Sequence, residues 1–227
     1  MLTIILTGVY IKFVYYVQSL RINLSKNKLF QKIRFIHNLL MVLFSFSMLI
    51  CIFYGYYLDD KYTNVHTLLC KDNNNSITEI TYKLFFYSKF YEWLDTLFLV
   101  LSNKPVRFIH ISHHSIVPFL TSLNLKGSHG IIFIGTNTLV HTLMYMYYAC
   151  PNVLKPIKRI ITYLQILQHI IAFSVTVYVT FLTNCEHAQG LGNMFAIFSY
   201  SLFIILFSNL AFKYETLKML TTPTPNI

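Results

Sequence analysis

The chain has 227 residues, of which 55% are hydrophobic and only 11% are charged, and its mean hydropathy is +0.53. Soluble domains carry about twice that share of charged residues, so the composition excludes an ordinary soluble enzyme. The net charge of +10 does not call for a nucleic-acid partner, because excess Lys and Arg in a membrane protein usually lie in cytoplasmic loops. We predict an all-α polytopic membrane protein in which residues 1–227 form one domain.

Apolar stretches recur along the chain and predict seven membrane spans. The first, residues 2–20, is short and carries Lys12, but it lacks the features of a cleaved signal peptide, so we expect it to be retained. The fourth is too short to cross alone, which predicts a bent or partial helix. The core of the domain is residues 38–212. The predicted spans are Leu2–Leu20, Asn38–Leu58, Leu84–Leu101, Ser115–Lys126, Gly130–Ala149, Ile160–Leu182 and Met194–Phe212.

Charged residues outside the spans alternate along the chain. The loops after the first, third and fifth spans and the final tail are basic, whereas the intervening loops are acidic or carry little charge. Because basic loops usually stay in the cytosol, this predicts a lumenal N-terminus and a cytosolic C-terminus. The basic residues are Arg21, Lys26, Lys28, Lys32, Arg34, Lys104, Arg107, Lys155, Lys158, Arg159, Lys213 and Lys218.

Two features fall on the predicted lumenal side. Cys70 and Cys185 lie in lumenal loops, where an oxidising compartment would let them form a disulfide. The sequence Asn74-Asn75-Ser76 is an N-glycosylation sequon in a lumenal loop, although such sequons are common by chance.

The third span contains polar residues that are costly to place in hydrocarbon. A charge at the centre of a bilayer costs about 3 kcal/mol on insertion scales. The spacings of three and four would place these side chains on one helix face, where Lys89 and Glu92 neutralise each other and Asp95 needs another partner. They form either a polar network that joins helices or a water-accessible reaction chamber, which we favour. The residues are Lys89, Glu92, Asp95 and Thr96.

The fifth span carries a polar and aromatic stripe around one histidine. His141 is four positions from both Asn137 and Tyr145, and Tyr148 extends the stripe. A lone histidine on a helix face is more often a core residue than a catalyst, but these neighbours favour a site.

The sixth span has three polar residues at intervals of three. Thr162, Gln165 and Gln168 either line a polar tunnel or join neighbouring helices by hydrogen bonds. His169 points elsewhere on this helix, and we interpret it as structural.

Three histidines, His110, His113 and His114, form an HxxHH motif before the fourth span. One option is a metal site, because imidazole binds iron and zinc, and membrane desaturases use histidine boxes. Such enzymes need several boxes, whereas the other histidines here are scattered. The second option is nucleophilic or acid–base chemistry, including a covalent acyl-imidazole. A polar neighbour would then set the tautomer, and the candidates are Asn137, Glu92 and Asp95.

Four segments together resemble the motifs of one family. KFYEWLDT fits KxxExxDT, HISHH fits HxxHH, NTLVHTLMYMYY fits NxxxHxxMYxYY, and TYLQILQ fits TxxQxxQ. In this order and spacing, the chain resembles the ELO family of very-long-chain fatty acid elongases, from about residue 38 to the end of the seventh span.

The resemblance implies that the protein condenses a fatty acyl-CoA with malonyl-CoA to a 3-ketoacyl-CoA, releasing CO2 and CoA, without a metal or other cofactor. It implies seven helices, six of them in a barrel around an acyl tunnel and the first outside. His113 would be the acyl-accepting nucleophile, and His141 would act near the decarboxylation of malonyl-CoA. Decarboxylation leaves an enolate, for which His141, Asn137 and His114 are candidate donors. Lys89, Glu92 and Asp95 would hold the histidines.

The cytosolic loops suit a polyanionic CoA head group. Most of their charge is explained by topology, and a phosphate contact from one or two of these residues is a hypothesis. The resemblance also implies an endoplasmic reticulum membrane and, as partners, the ketoreductase, dehydratase and enoyl reductase of an elongation cycle, while a homo-oligomer stays open. The candidate CoA-binding residues are Lys104, Arg107, Lys155, Lys158 and Arg159.

Overall fold

The structure is a computed structural model, and it describes residues 2–59, 63–70, 75–123, 129–183, 185 and 190–221. The all-helical prediction is confirmed for these residues, which form helices joined by short loops and contain one isolated β-bridge, between Asn23 and Ser102. The helices are α1 Leu2–Ser19, α2 Lys28–Leu58, α3 Val65–Cys70, α4 Ser76–Tyr91, α5 Trp93–Leu101, α6 Phe108–Leu123, α7 Gly130–Ala149, α8 Ile157–Phe181 and α9 Leu191–Thr221.

Four helices of the described chain, α1, α2, α8 and residues 191–213 of α9, are long and apolar enough to cross a membrane. Their outward faces carry large apolar side chains, such as Leu43, Phe46 and Phe198, which are more than half exposed. A surface of this kind suits lipid rather than water. The structure is thus that of a polytopic membrane protein, whereas seven crossings and a six-helix barrel stay predictions.

Several helices begin before the spans predicted from the apolar stretches, and α2 and α6 show the reason most clearly. Helix α2 starts ten residues before the predicted Asn38, because the Asn27 side chain caps its N-terminus by accepting a hydrogen bond from the Phe30 N–H at 3.0 Å. Helix α6 starts at Phe108 rather than Ser115, so it includes the HxxHH motif, and it contains Pro118. A search for apolar runs misses helix beginnings in which polar and apolar residues are mixed. The last residues of the predicted fourth span, 124–126, lie outside the described residues, as does Asn74 of the sequon.

The third predicted span is not one helix. It begins at Ser76 and breaks at Glu92, where the chain makes a tight turn before α5. The Asp95 N–H donates to the Glu92 carbonyl at 3.0 Å, an i to i+3 bond that tightens the helix at this point. The break therefore lies within the KxxExxDT motif.

Contacts between helices and hydrogen bonds at their ends hold the bundle together. Helices α2 and α7 form the most extensive pair, and α8 packs against α9. The loop before α2 joins the end of α5, where the Leu24 N–H donates to the Leu101 carbonyl at 2.7 Å. At the other end, the Asn75 amide donates to the Gly55 carbonyl at 2.8 Å.

Helix α1 packs against α5 and α6 at the edge of the bundle. Tyr10, Val14 and Val17 are its buried residues, and the Tyr10 hydroxyl lies 2.7 Å from Thr96 Oγ1. Far from this contact, a disulfide between Cys70 and Cys185 ties α3 to the loop after α8, with Cα atoms 5.2 Å apart. The chain between these cysteines includes α4 to α8, so this crosslink ties down most of the bundle.

Candidate active site

The break after α4 brings a buried lysine and a buried glutamate together with the fifth predicted span. Lys89 Nζ donates to Glu92 Oε1 at 2.6 Å and to Asn137 Oδ1 on α7 at 3.0 Å. His141 Nδ1 lies 3.5 Å from the same Glu92 oxygen. All four side chains are less than a tenth exposed. Since a buried ion pair is favourable only when further hydrogen bonds complete it, Asn137 and His141 are part of what stabilises the Lys89–Glu92 pair.

The partner that was expected for Asp95 is His37 on α2. His37 Nε2 lies 2.8 Å from Asp95 Oδ1, while the Tyr145 hydroxyl donates to Asp95 Oδ2 at 2.5 Å. The His37 ring stacks on Tyr91 at 5.2 Å between ring centroids. Both carboxylate oxygens are engaged, so Asp95 links α2, α5 and α7. From the sequence, His37 is one of the scattered histidines without a motif. It could not be matched to Asp95, because the two residues are 58 positions apart along the chain.

The first and last histidines of the HxxHH motif contact each other and α5. The His110 and His114 ring centroids are 4.4 Å apart, and His110 Nε2 lies 2.9 Å from Thr96 Oγ1. The Trp93 indole N–H donates to the His114 backbone carbonyl at 2.9 Å. Thr96, rather than Asn137, Glu92 or Asp95, is thus the polar neighbour of His110, whereas Glu92 serves His141.

His113 faces a different environment, made of aromatic rings from α8 and α9. Its ring lies 5.2 Å from Phe203 and 6.4 Å from His169, centroid to centroid. Its Nδ1 atom is buried and has no hydrogen-bond partner among the described residues. An imidazole with an unpaired nitrogen in apolar surroundings is poorly solvated, which favours a reactive group over a structural one.

The three polar residues of the sixth predicted span, Thr162, Gln165 and Gln168, contact this site less closely than His169 on the same helix does. Gln165 Nε2 lies 3.8 Å from Met144 Sδ on α7, a contact that joins helices. The Thr162 hydroxyl donates to the Lys158 carbonyl at 3.3 Å, within its own helix. Gln168 is 3% exposed, and its side-chain carbonyl oxygen has no hydrogen-bond partner among the described residues. His169, interpreted as structural from the sequence, is fully buried, and its ring centroid lies 6.4 Å from that of His113.

Tyr148 is the most exposed member of the fifth-span stripe. It is 43% exposed near the end of α7, whereas Asn137 and Tyr145 are fully buried. Its ring nevertheless contacts that of Tyr145, with the centroids 6.0 Å apart.

The candidate CoA-binding residues lie at the surface. All five are exposed. Two lie in the loop before α6, and three lie in the loop before α8 and in the first turn of α8. The Arg159 guanidinium lies 5.9 Å from the centroid of the Tyr163 ring, a cation–π distance. The residues are Lys104, Arg107, Lys155, Lys158 and Arg159.

An apolar cavity of about 30 Å³ lies toward the other end of the bundle, between α4 and helices α6 to α9. Its walls include Phe85, Leu120, Phe133 and Ala172. Leu120 is seven residues beyond His113 on α6, or about 10 Å along the helix axis. The volume accommodates little more than a water molecule, so any longer occupant requires the walls to move.

Metal ligands are not grouped in the part of the chain that the structure describes. No set of three or more His, Cys, Asp or Glu side chains within it is arranged to hold a metal ion. The HxxHH imidazoles instead contact Thr96, aromatic rings and each other.

Comparison with known proteins places this arrangement in a family. The chain is 29% identical to fatty acid elongase sre1 of Dictyostelium discoideum over 222 residues, which cover 92% of this chain and 81% of the relative. It is 28% identical to very long chain fatty acid elongase 1 of Homo sapiens, with 91% and 79% covered, and 35% identical to fatty acid elongase A of D. discoideum over 145 residues, with 61% and 52% covered. The model of the ELO family, described as GNS1/SUR4, matches residues 1–219. With the motifs, the buried histidines and the helical bundle all in agreement, the chain belongs to the ELO family.

Proposed function

We propose that this protein is a fatty acid elongase that condenses a long-chain acyl-CoA with malonyl-CoA to a 3-ketoacyl-CoA. The family and the names of the relatives support fatty acid elongation. The main support for the condensation is that the bundle contains two different buried environments. His113 lies in an aromatic pocket, and His141 belongs to a separate polar network. A two-step acyl transfer needs two such environments, one to hold the acyl group and one to generate the carbon nucleophile.

In the first step, His113 attacks the thioester carbonyl of the acyl-CoA. A bond forms between an imidazole nitrogen and the carbonyl carbon, the carbon–sulfur bond breaks, and CoA leaves as its thiol with the proton of the imidazole. The apolar surroundings from Phe203 and Phe207 suit an acyl-imidazole, because they keep water away from it. His110, about one turn before His113, and His114, the next residue, would polarise the carbonyl.

In the second step, malonyl-CoA loses CO2, and the resulting enolate attacks the acyl group on His113. The enolate carries negative charge on oxygen, which buried donors stabilise more strongly than water-exposed ones. His141 and the Asn137 amide, whose Nδ2 is buried without a partner among the described residues, are such donors. Lys89 and Glu92 hold them in position. The carbon–carbon bond forms, the bond between the acyl carbon and the His113 nitrogen breaks, and that nitrogen takes up a proton from the solvent.

The two ends of the bundle suit the two ends of the substrate. The exposed basic residues before α6 and around the start of α8 would attract the CoA phosphates, and the apolar cavity beyond Leu120 would receive the acyl tail once its walls turn aside. The proposal therefore includes a location in the endoplasmic reticulum membrane, with the basic end of the bundle facing the cytosol. The remaining proposed partners are the ketoreductase, dehydratase and enoyl reductase that process a 3-ketoacyl-CoA.

The test uses the full chain in microsomes and then purified in detergent, with labelled malonyl-CoA and a panel of acyl-CoAs. Wild type is expected to form 3-ketoacyl-CoA without added metal. His113→Ala is expected to form neither product nor acyl-protein adduct, whereas His141→Ala still forms the adduct from acyl-CoA alone. His66→Ala is the control, because this histidine is exposed on α3 at the opposite end.

Two results would contradict the proposal. Product formation by His113→Ala would exclude the acyl-histidine. Absence of product from folded wild type that carries stoichiometric iron would favour a histidine-box oxidoreductase instead.

A further inference from the structure

His169 is a buried imidazole that the two steps above do not use. Its Nδ1 atom lies 2.5 Å from the Gln165 backbone carbonyl, which only accepts hydrogen bonds, so Nδ1 carries the proton. In the neutral ring, Nε2 is then an acceptor. This atom is buried and has no hydrogen-bond partner among the described residues. Its tautomer is thus set by its own helix, with the basic nitrogen left available.

His113 and His169 occupy the same aromatic pocket. Their ring centroids are 6.4 Å apart, with the planes at 81°. Phe203 lies 5.2 Å from each of the two rings, and Phe207 lies 5.4 Å from His169 and 6.5 Å from His113. Three helices, α6, α8 and α9, therefore enclose the two imidazoles. The other polar rings beside them are His114, 5.5 Å from His113, and Tyr200, 6.3 Å from His169, centroid to centroid.

The unpaired atoms of the two rings are complementary. His113 Nδ1 and His169 Nε2 are both buried and unpaired within the described residues. A buried nitrogen without a hydrogen-bond partner destabilises the fold, and one donor facing one acceptor would remove both penalties. Two directly bonded imidazoles have centroids about 5 Å apart, and a pair joined through one water about 6–7 Å apart. The observed 6.4 Å fits transfer through a single water, or directly after a rotation of one ring.

We propose that His169 accepts the proton that His113 loses when it is acylated, an inference that rests on the proposed function. When Nε2 of His113 attacks the thioester, the carbon–nitrogen bond forms, the carbon–sulfur bond breaks, and the ring becomes an acylated imidazolium with its proton on Nδ1. That proton passes to Nε2 of His169 and then to the departing CoA thiolate. The acyl-imidazole is left neutral and CoA leaves as the thiol. His169 thereby acts through His113 as a positioning and proton-accepting residue.

This role has a physical reason. A positively charged acyl-imidazolium would be poorly solvated among phenylalanines and would return the acyl group readily to the thiolate. Removal of its proton makes the covalent intermediate persist until malonyl-CoA is decarboxylated. General-base assistance of this kind typically contributes 10²–10⁴-fold to a rate.

The experiment measures the burst of CoA thiol that the purified full chain releases from a long-chain acyl-CoA without malonyl-CoA. His169→Phe keeps the aromatic packing, and His169→Gln keeps an amide near the Nε2 position but cannot take up a proton. Both are expected to slow the burst at least tenfold, while His66→Gln leaves it unchanged. If His169→Phe does not fold, His169→Asn replaces it, because its amide can still donate to the Gln165 carbonyl.

A solvent isotope comparison separates proton transfer from packing. The wild-type burst is expected to be slower in D2O, and this difference is expected to shrink in His169→Gln. A burst within threefold of wild type in either variant, or an unchanged isotope effect in His169→Gln, overturns the inference. If wild type releases no thiol from acyl-CoA alone, the acyl-histidine of the proposed function fails, and the role of His169 fails with it.

Discussion

Replacement of Glu92 with glutamine removes one charge from an ion pair whose two side chains are each only 2% exposed. The Lys89 ammonium would keep the Asn137 oxygen at 3.0 Å but would lose its carboxylate at 2.6 Å. Removal of one partner of a buried pair typically costs 3–5 kcal/mol, because the other charge stays buried and uncompensated. We expect Glu92→Gln to lower the free energy of unfolding by about 4 kcal/mol.

The same helix supplies a matched control. Lys83 and Glu79 form an ion pair with the same 2.6 Å separation, but their side chains are 61% and 65% exposed. Because water screens this pair, Glu79→Gln is expected to leave the unfolding midpoint unchanged. Both variants are compared with wild type by thermal and denaturant unfolding in one detergent, with the intrinsic fluorescence of Trp93 as the readout, since Trp93 lies directly after Glu92.

A double variant separates stability from activity. Lys89→Met combined with Glu92→Leu removes both charges and is expected to recover most of the lost stability, yet to stay inactive because Asn137 and His141 lose their partners. Equal destabilisation by Glu92→Gln and Glu79→Gln would refute the reasoning, since it would mean that the Lys89–Glu92 pair is not desolvated.

Three further predictions follow from single contacts. Asp95→Asn is expected to lower the free energy of unfolding by about 1–3 kcal/mol and the condensation rate at least tenfold, because one charged acceptor serves both His37 and Tyr145. Unchanged stability and unchanged product formation would contradict this. Gly55→Ala is expected to destabilise by about 1–3 kcal/mol, because its Cβ would collide with Thr78 Oγ1, whereas Gly8→Ala has open space around it and serves as the control in the same unfolding assay. Cys185→Ser is expected to cost about 2–5 kcal/mol and to change mobility on a non-reducing gel, unlike Cys51→Ser, whose thiol is free.

Much of the candidate site was predictable because its residues repeat at helical spacing. Asn137, His141 and Tyr145 share a face of α7 for the same reason that any residues four positions apart do. Lys89 and Glu92 were expected to pair, and they do. The helix starts were less predictable, since the first turns of α2 and α6 mix polar with apolar residues, and the start of α2 depends on the Asn27 cap.

His37 and His169 show where prediction from sequence stops. Neither belongs to a polar stripe identified from the sequence, and each contacts a residue more than fifty positions away. A buried carboxylate such as Asp95 signals that some partner exists, and a histidine in an apolar helix is a candidate for it. Which histidine it is depends on how the helices are arranged in space.

By itself, the sequence determined that this protein is helical and membrane-embedded, that it belongs to one family, and which motif residues lie on common helix faces. These properties follow from local periodicity and from the cost of charge in hydrocarbon, both of which act along the chain. The tertiary structure decided which faces meet: His37 with Asp95, Glu92 with His141, and His113 with His169. The physical reason is that helix packing is set by the joint fit of many side chains from distant segments, and a short spacing pattern contains no record of that fit.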